Sequence, residues 1–137
     1  MYPDLVAAPG GQSLDELIAF LPAFAKPSRE FVHWSGAEVR PDGSLSAPYP
    51  SYALDVSEFF DLAAKPFWED LDAAGKPAAD WLADAAFVAS ASLDQVRTML
   101  THLVRGERFC DGCWALALER GQVQALLRRL VVIRAAR

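Results

Sequence analysis

The last third of the chain limits the possible folds most. From Ser92 onward three helical patterns follow one another, each with its own start and stop. Ser92 and Gln95 have the spacing of a capping box, in which a hydroxyl and an amide side chain satisfy each other's end of a helix. Leu93, Val96, Leu100, Leu103 and Val104 then recur at helical spacing and predict a helix over about 93–105, ended by Gly106. A second helix is predicted from about 111 to 120, with Gly121 as its C-cap. Its W-A-L-A-L core is apolar nearly all round, which points to a central, buried helix. The third runs from about 122 to 135, with Val123, Leu126, Leu127, Leu130 and Val131 facing inward and Arg128 and Arg129 flanking them.

The earlier residues carry the same signals more sparsely. Residues 1–12 hold Pro3, Pro9, Gly10 and Gly11 with no period, and predict a loose arm. Ser13 and Glu16 suggest a capping box, followed by an apolar face of Leu14, Leu17, Ile18 and Leu21 that Pro22 ends or kinks. R-E-F-V-H-W at 29–34 is rich in β-formers, and P-D-G-S at 41–44 is a turn signal. Together they predict a small hairpin near 30–47. The two prolines of A-P-Y-P-S-Y at 47–52 force an extended course that presents Tyr49 and Tyr52. Asp55 is the expected cap of a helix burying Val56, Phe59, Phe60 and Ala63. Residues 67–91 predict one or two short helices. The fold class expected is all-α, a single helical domain over 13–137 with five to seven helices and at most one small β-hairpin.

With 137 residues, 53% of them hydrophobic, the chain has material for one core of ordinary size. No stretch reaches the roughly 18 uninterrupted apolar residues of a membrane span. The first residues lack the basic start and apolar run of a secretory signal. A cytoplasmic protein is expected, with no membrane partner. The net charge of −5 conceals an asymmetry. Residues 95–137 carry eight arginines and no lysine against three carboxylates, while residues 1–94 carry five cations against fifteen carboxylates. Either the two halves pair within the fold, or an arginine-lined face meets an acidic partner or small anion. The overall negative charge argues against nucleic acid. So does the apolar second helix of the 93–120 pair, because a recognition helix must expose polar side chains.

The only two cysteines stand in R-F-C-D-G-C-W at 108–114. With Asp111 as N-cap, Cys113 falls in a first turn, where free amides and the helix dipole favour a thiolate. C-x-x-C at a helix start is the layout of thiol–disulfide chemistry, but no βαβ unit accompanies it. It also supplies two of the four ligands of a structural zinc, and His102 offers a third. The plain alternative is two small thiols at a packed helix start. Arg97, Arg105 and Arg108 gather at one helix end, with Glu119 on the next helix. Arg108 is expected to pair with Glu119 or to share an anion-binding corner. The candidate site residues are therefore Arg105, Arg108, His102, Glu119, Tyr49 and Tyr52. No metal is predicted; Cys110, Cys113 and His102 are the residues a metal would use. No nucleotide-binding, metalloprotease or nucleophile-elbow motif is present, and no cofactor is predicted.

Three segments carry a likeness: L-D-E-L-I-A-F-L-P at 14–22, P-Y-P-S-Y at 48–52, and R-G-E-R-F-C-D-G with L-E-R-G-Q-V-Q-A-L-L-R-R-L within 105–130. On these the chain resembles a bacterial domain-of-unknown-function family. The likeness implies a compact helical domain and no particular activity. It also implies that Arg108, Phe109, Gly112, Glu119 and Gly121 recur, and that histidine is common where Cys113 stands. The residues themselves favour a small binding or regulatory module for an acidic or peptide partner. The alternative is a small-ligand protein or enzyme with an Arg/His/Tyr-lined anion pocket.

Overall fold

A computed structural model describes residues 9–137. The clearest expectation holds at once. Helix α6 (Leu93–Gly106) begins at a complete capping box, in which Ser92 Oγ accepts from the Gln95 amide (3.1 Å) and Gln95 Oε1 accepts from the Ser92 amide (2.9 Å). Helix α7 (Cys113–Glu119) and helix α8 (Gln122–Ala135) follow, joined through Gly121 with φ at +75°. Before them come α1 (Gly11–Ile18), the single turn α2 (Leu21–Phe24), α3 (Leu54–Ala63), α4 (Ala78–Leu82) and α5 (Ala85–Ala89), with a 3-10 turn at Ala73–Gly75. The protein is a mainly helical single domain.

The one sheet among the described residues is an antiparallel pair, β1 (Val32–Ser35) and β2 (Tyr49–Tyr52), in register Val32 with Tyr52 and Ser35 with Tyr49. The hairpin is thus wider than the 30–47 expected. Its second strand is the proline-stiffened P-Y-P-S-Y segment, and the P-D-G-S turn closes only a single inner bridge, Val39 to Leu45.

Helix α8 is the hub. It packs against α1, α2, α5, α6 and α7, and Val123, Leu126, Leu127 and Leu130 are fully buried. Leu14 and Leu17 of α1, Phe59 and Phe60 of α3, and Val96, Met99 and Leu100 of α6 close the core around it. The aromatic residues Phe20, Phe24, Phe31 and Phe59 meet edge-on or stacked with centroids 5.4–5.9 Å apart, a geometry that suits their quadrupoles.

Four local expectations are corrected. Ser13 and Glu16 form no capping box. Helix α1 starts three residues earlier, behind Gly10, and Gly11 carries the close approach of the Arg134 side chain. Of the expected arm, residues 1–8 lie outside the described residues. Asp55 does not cap α3, whose N-cap is Ala53; its carboxylate instead pairs with Arg29. The apolar helix α7 is not central, since Leu116 is exposed and only Ala115, Ala117 and Leu118 are buried. Val131 of α8 also faces outward.

The segment before α4 is fastened to α6 by polar groups that no local pattern announces. Buried Thr98 donates to Asp70 Oδ2 (2.6 Å), and Thr101 Oγ1 accepts from the Asp70 amide (2.9 Å). Burial pushes the Asp70 carboxyl up. The hydrogen bonds from Lys76, Thr98 and the Asp72 amide outweigh it and hold the group at about 2.

Candidate functional site

Helix α7 has an unusual start. Its N-cap is Gly112, with φ at +90°, so no side chain of the N-cap itself can satisfy the first amides. Glu107, just past the end of α6, does so. Its carboxylate accepts from the Gly112 amide (2.8 Å), the Trp114 amide (2.9 Å) and the Tyr52 hydroxyl (2.8 Å). Tyr52 in turn accepts from the Ala115 amide (3.4 Å). Trp114 locks the corner: its indole donates to Leu103 and Val104 carbonyls (3.0 and 3.3 Å) and its ring stacks on Phe60, 4.2 Å between centroids. Trp34 of β1 lies over Gly112 so closely that a Cβ there would sit 2.6 Å from its ring.

This geometry corrects the thiolate expected at Cys113. Its N-cap is not Asp111, and the amides of the first turn are already taken by Glu107 and Tyr52. Burial, the Cys110 thiol and the Glu107 charge push the Cys113 thiol up to about 11. Among the described residues no three His, Cys, Asp or Glu side chains are grouped to hold a metal ion. Cys110, Cys113 and His102 are therefore not assembled as zinc ligands. The structure also separates Tyr49 from Tyr52. They stand three apart on one strand, so the pleat sends them to opposite faces; Tyr52 turns in to Glu107 and Tyr49 is exposed.

The expected Arg108–Glu119 pair does not form. Both side chains are exposed and each lies on a different surface feature. The arginines of α6 do find partners: Arg97 pairs with Asp94 at 3.3 Å, and both Arg97 and Arg105 reach Glu69. Arg105 meets its carboxylate at 3.3 Å, and Arg97 donates to its carbonyl at 3.0 Å. His102 and Arg105 share a shallow, mostly apolar groove of about 200 Å³ with Ala73, Ala74, Gly106 and Phe109. The six candidate residues thus belong to several places, not to one pocket.

Two of the segments that carried the sequence likeness, P-Y-P-S-Y and R-G-E-R-F-C-D-G, meet at the Tyr52–Glu107–Gly112 corner. A family model described as a family of unknown function (DUF6508) matches residues 10–136. The chain belongs to this family. Comparison with curated proteins and with solved structures finds no match. Among the described residues the match spans every helix and both strands, so this DUF6508 domain is the helical fold described above.

An open concavity of the DUF6508 domain lies elsewhere. It is a cleft of about 380 Å³ between the 25–31 segment and the junction of α7 with α8. Phe24, Phe31 and Leu118 line it by their edges only, since all three are buried. Lys26 and Arg128 stand exposed at its rim, with Glu119 the one carboxylate on its lining. Arg29 also lines it, but its charge is committed. It pairs with both oxygens of Asp55, which raises Arg29 and lowers Asp55, and it lies over the Phe24 and Phe31 rings at 5.6 and 5.1 Å. Gln124 is only 7% exposed and lines the same cleft. Its amide donates to the Phe24 and Leu118 carbonyls (3.1 and 3.0 Å), while its Oε1 has no partner. A buried acceptor without a donor costs about 1–3 kcal/mol. Of the sequence candidates only Glu119 belongs to this cleft. Lys26, Ser28, Arg29, Gln124 and Arg128 carry no motif, and they meet only because the turn after α2 folds against the start of α8.

Proposed function

We propose that the protein is a small binding module for an acidic peptide partner, seated in the cleft between residues 25–31 and the α7–α8 junction. The single observation behind this reading is the composition of that cleft. Two cations not committed to a carboxylate among the described residues, Lys26 and Arg128, line it together with the edges of Phe24, Phe31 and Leu118. A peptide supplies what the two parts need: carboxylates for the cations and aliphatic side chains for the apolar edges. Glu119 sets a limit, since it repels a ligand that is anionic along its whole length. Acidic residues interspersed with aliphatic ones fit better than a polyanion.

The test is a peptide array in which Asp or Glu alternates with Leu or Val, probed at low salt with the wild-type protein and with a Lys26→Glu/Arg128→Glu variant. Both positions are exposed, so the variant should melt like the wild type. The wild type is expected to retain a subset of acidic–aliphatic peptides, and the charge-reversed protein to lose them. Equal retention by the two proteins, or none by the wild type, overturns the assignment.

A further inference from the structure

The cleft leaves the two thiols of the chain unused, and their placement has its own consequence. Residues 110–113 form a tight turn. The Cys113 amide donates to the Cys110 carbonyl at 3.1 Å, and Gly112 provides the left-handed third position. A turn of this kind keeps its end α-carbons within about 7 Å, and disulfides span roughly 4.4–6.8 Å between α-carbons. The two thiols are close enough in the turn to influence each other: after burial, Cys110 is the next cause that raises the Cys113 thiol. Cys110 is exposed and Cys113 half-buried. The Cys113 side chain rests on Gly106 of α6, and the Cys110 amide is bonded to the Gly106 carbonyl (3.1 Å), so the turn has a fixed floor.

We propose that Cys110 and Cys113 form a redox modification site that closes reversibly to an intramolecular disulfide on reaction with a small disulfide of the oxidised-glutathione class. In the first exchange the Cys110 thiolate attacks one sulfur of the reagent, and one reduced glutathione leaves with the proton. In the second the Cys113 thiolate attacks the Cys110 sulfur of the mixed disulfide, and a second reduced glutathione leaves. Two protein thiols are oxidised and one glutathione disulfide is reduced to two thiols. Exposure makes Cys110 the entry point. Cys113 resolves slowly, because burial, Cys110 and the Glu107 carboxylate that faces it keep it protonated at neutral pH. That distinguishes a slow modification site from a thiol–disulfide catalyst, which relies on a low-pKa thiolate. The closed ring ties the turn between α6 and α7, next to Phe109, which is 87% exposed, and beneath the Trp34 ring.

The experiment treats the reduced, folded, full-length protein with oxidised glutathione, blocks remaining thiols with iodoacetamide and reads the intact mass. The expected product is a monomer lighter by two hydrogens that carries no alkyl group and returns to two thiols with reduced glutathione. Cys113→Ser should stop at a glutathionyl adduct on Cys110. Titration in glutathione buffers should give the folded pair an equilibrium constant at least about tenfold above that of the urea-unfolded chain, the measure of what the fold contributes. The proposal is overturned by a wild type that stops at the adduct, stays reduced or links two chains, and equally by folded and unfolded constants that coincide. None of these readouts involves the peptide cleft.

Discussion

Glu107 organises the corner between α6, α7 and β2. One carboxylate satisfies the amides of the N-cap Gly112 and of Trp114 in α7, and orders Tyr52 across 55 residues of sequence. Hydrogen bonds to a charged acceptor contribute about 1.5–3 kcal/mol each in mutational series, and several on one group are not additive. Glu107→Ala is therefore expected to destabilise by about 3 kcal/mol in urea denaturation, and Tyr52→Phe by about 1 kcal/mol. The double variant should cost less than the sum, because the two share a bond. The alkaline limb of stability tests the same contact. Burial, and next the Glu107 hydrogen bond, raise the Tyr52 phenol above its ordinary 10.0. Cys113 is raised from 9.0 to about 11. A folded-state proton held more tightly than in the unfolded chain stabilises fully below the unfolded value and is lost as pH rises above it. Stability should therefore fall from about pH 9 upward. Tyr52→Phe should flatten the part above about pH 10 and leave the Cys113 part. An unchanged alkaline slope in Tyr52→Phe would remove Tyr52 from this account.

Elements were legible in the sequence wherever their signals were local. The Ser92–Gln95 box, the α6 stripe and the two glycine boundaries are all contained within a few residues, and each stands where the spacing placed it. The α1 cap was misplaced because Ser13 and Glu16 have the right spacing, while the helix had already begun behind Gly10. Local chemistry allowed both starts, and the packing of Gly11 against Arg134 accompanies the earlier one. The glycines that bound α7 make a controlled comparison. Both have positive φ, but a Cβ on Gly121 meets nothing within 4 Å, whereas one on Gly112 meets Trp34 at 2.6 Å. Gly121→Ala should cost only the left-handed backbone term, about 1 kcal/mol. Gly112→Ala should cost that and the displacement of the indole, about 2 kcal/mol or more. Adding Trp34→Ala should recover the excess and leave the backbone part. Equal costs for the two alanines would mean that Trp34 moves aside freely.

At the scale of the molecule, the charge asymmetry left two readings open, internal pairing or an outward face, and the structure divides the arginines between them. Arg134 reaches back to Asp15 (3.0 Å) and Arg105 to Glu69 (3.3 Å). Arg129 and Arg137 end on backbone carbonyls of Ala89, Ala91 and Pro9. Arg108, Arg120 and Arg128 remain on the surface. The partners were illegible for a physical reason: Glu69, Gln124 and Phe24 meet their counterparts across 28–100 residues, where no period or cap operates. The cleft shares that fate, since its residues are neighbours only after α8 has packed. The division of arginines has a measurable outcome. Half-exposed ion pairs contribute about 0–1 kcal/mol each and are screened by salt, whereas the core around α8 is apolar and indifferent to screening. Raising sodium chloride from low salt to about 1 M should change unfolding free energy by no more than about 1–2 kcal/mol. Retention of acidic peptides, which depends on Lys26 and Arg128 in open solvent, should fall at least about tenfold over the same range. If the fold weakened with salt as steeply as the binding, the acidic and arginine-rich halves would be held together chiefly by charge, and α8 would not be the hub its buried leucines make it.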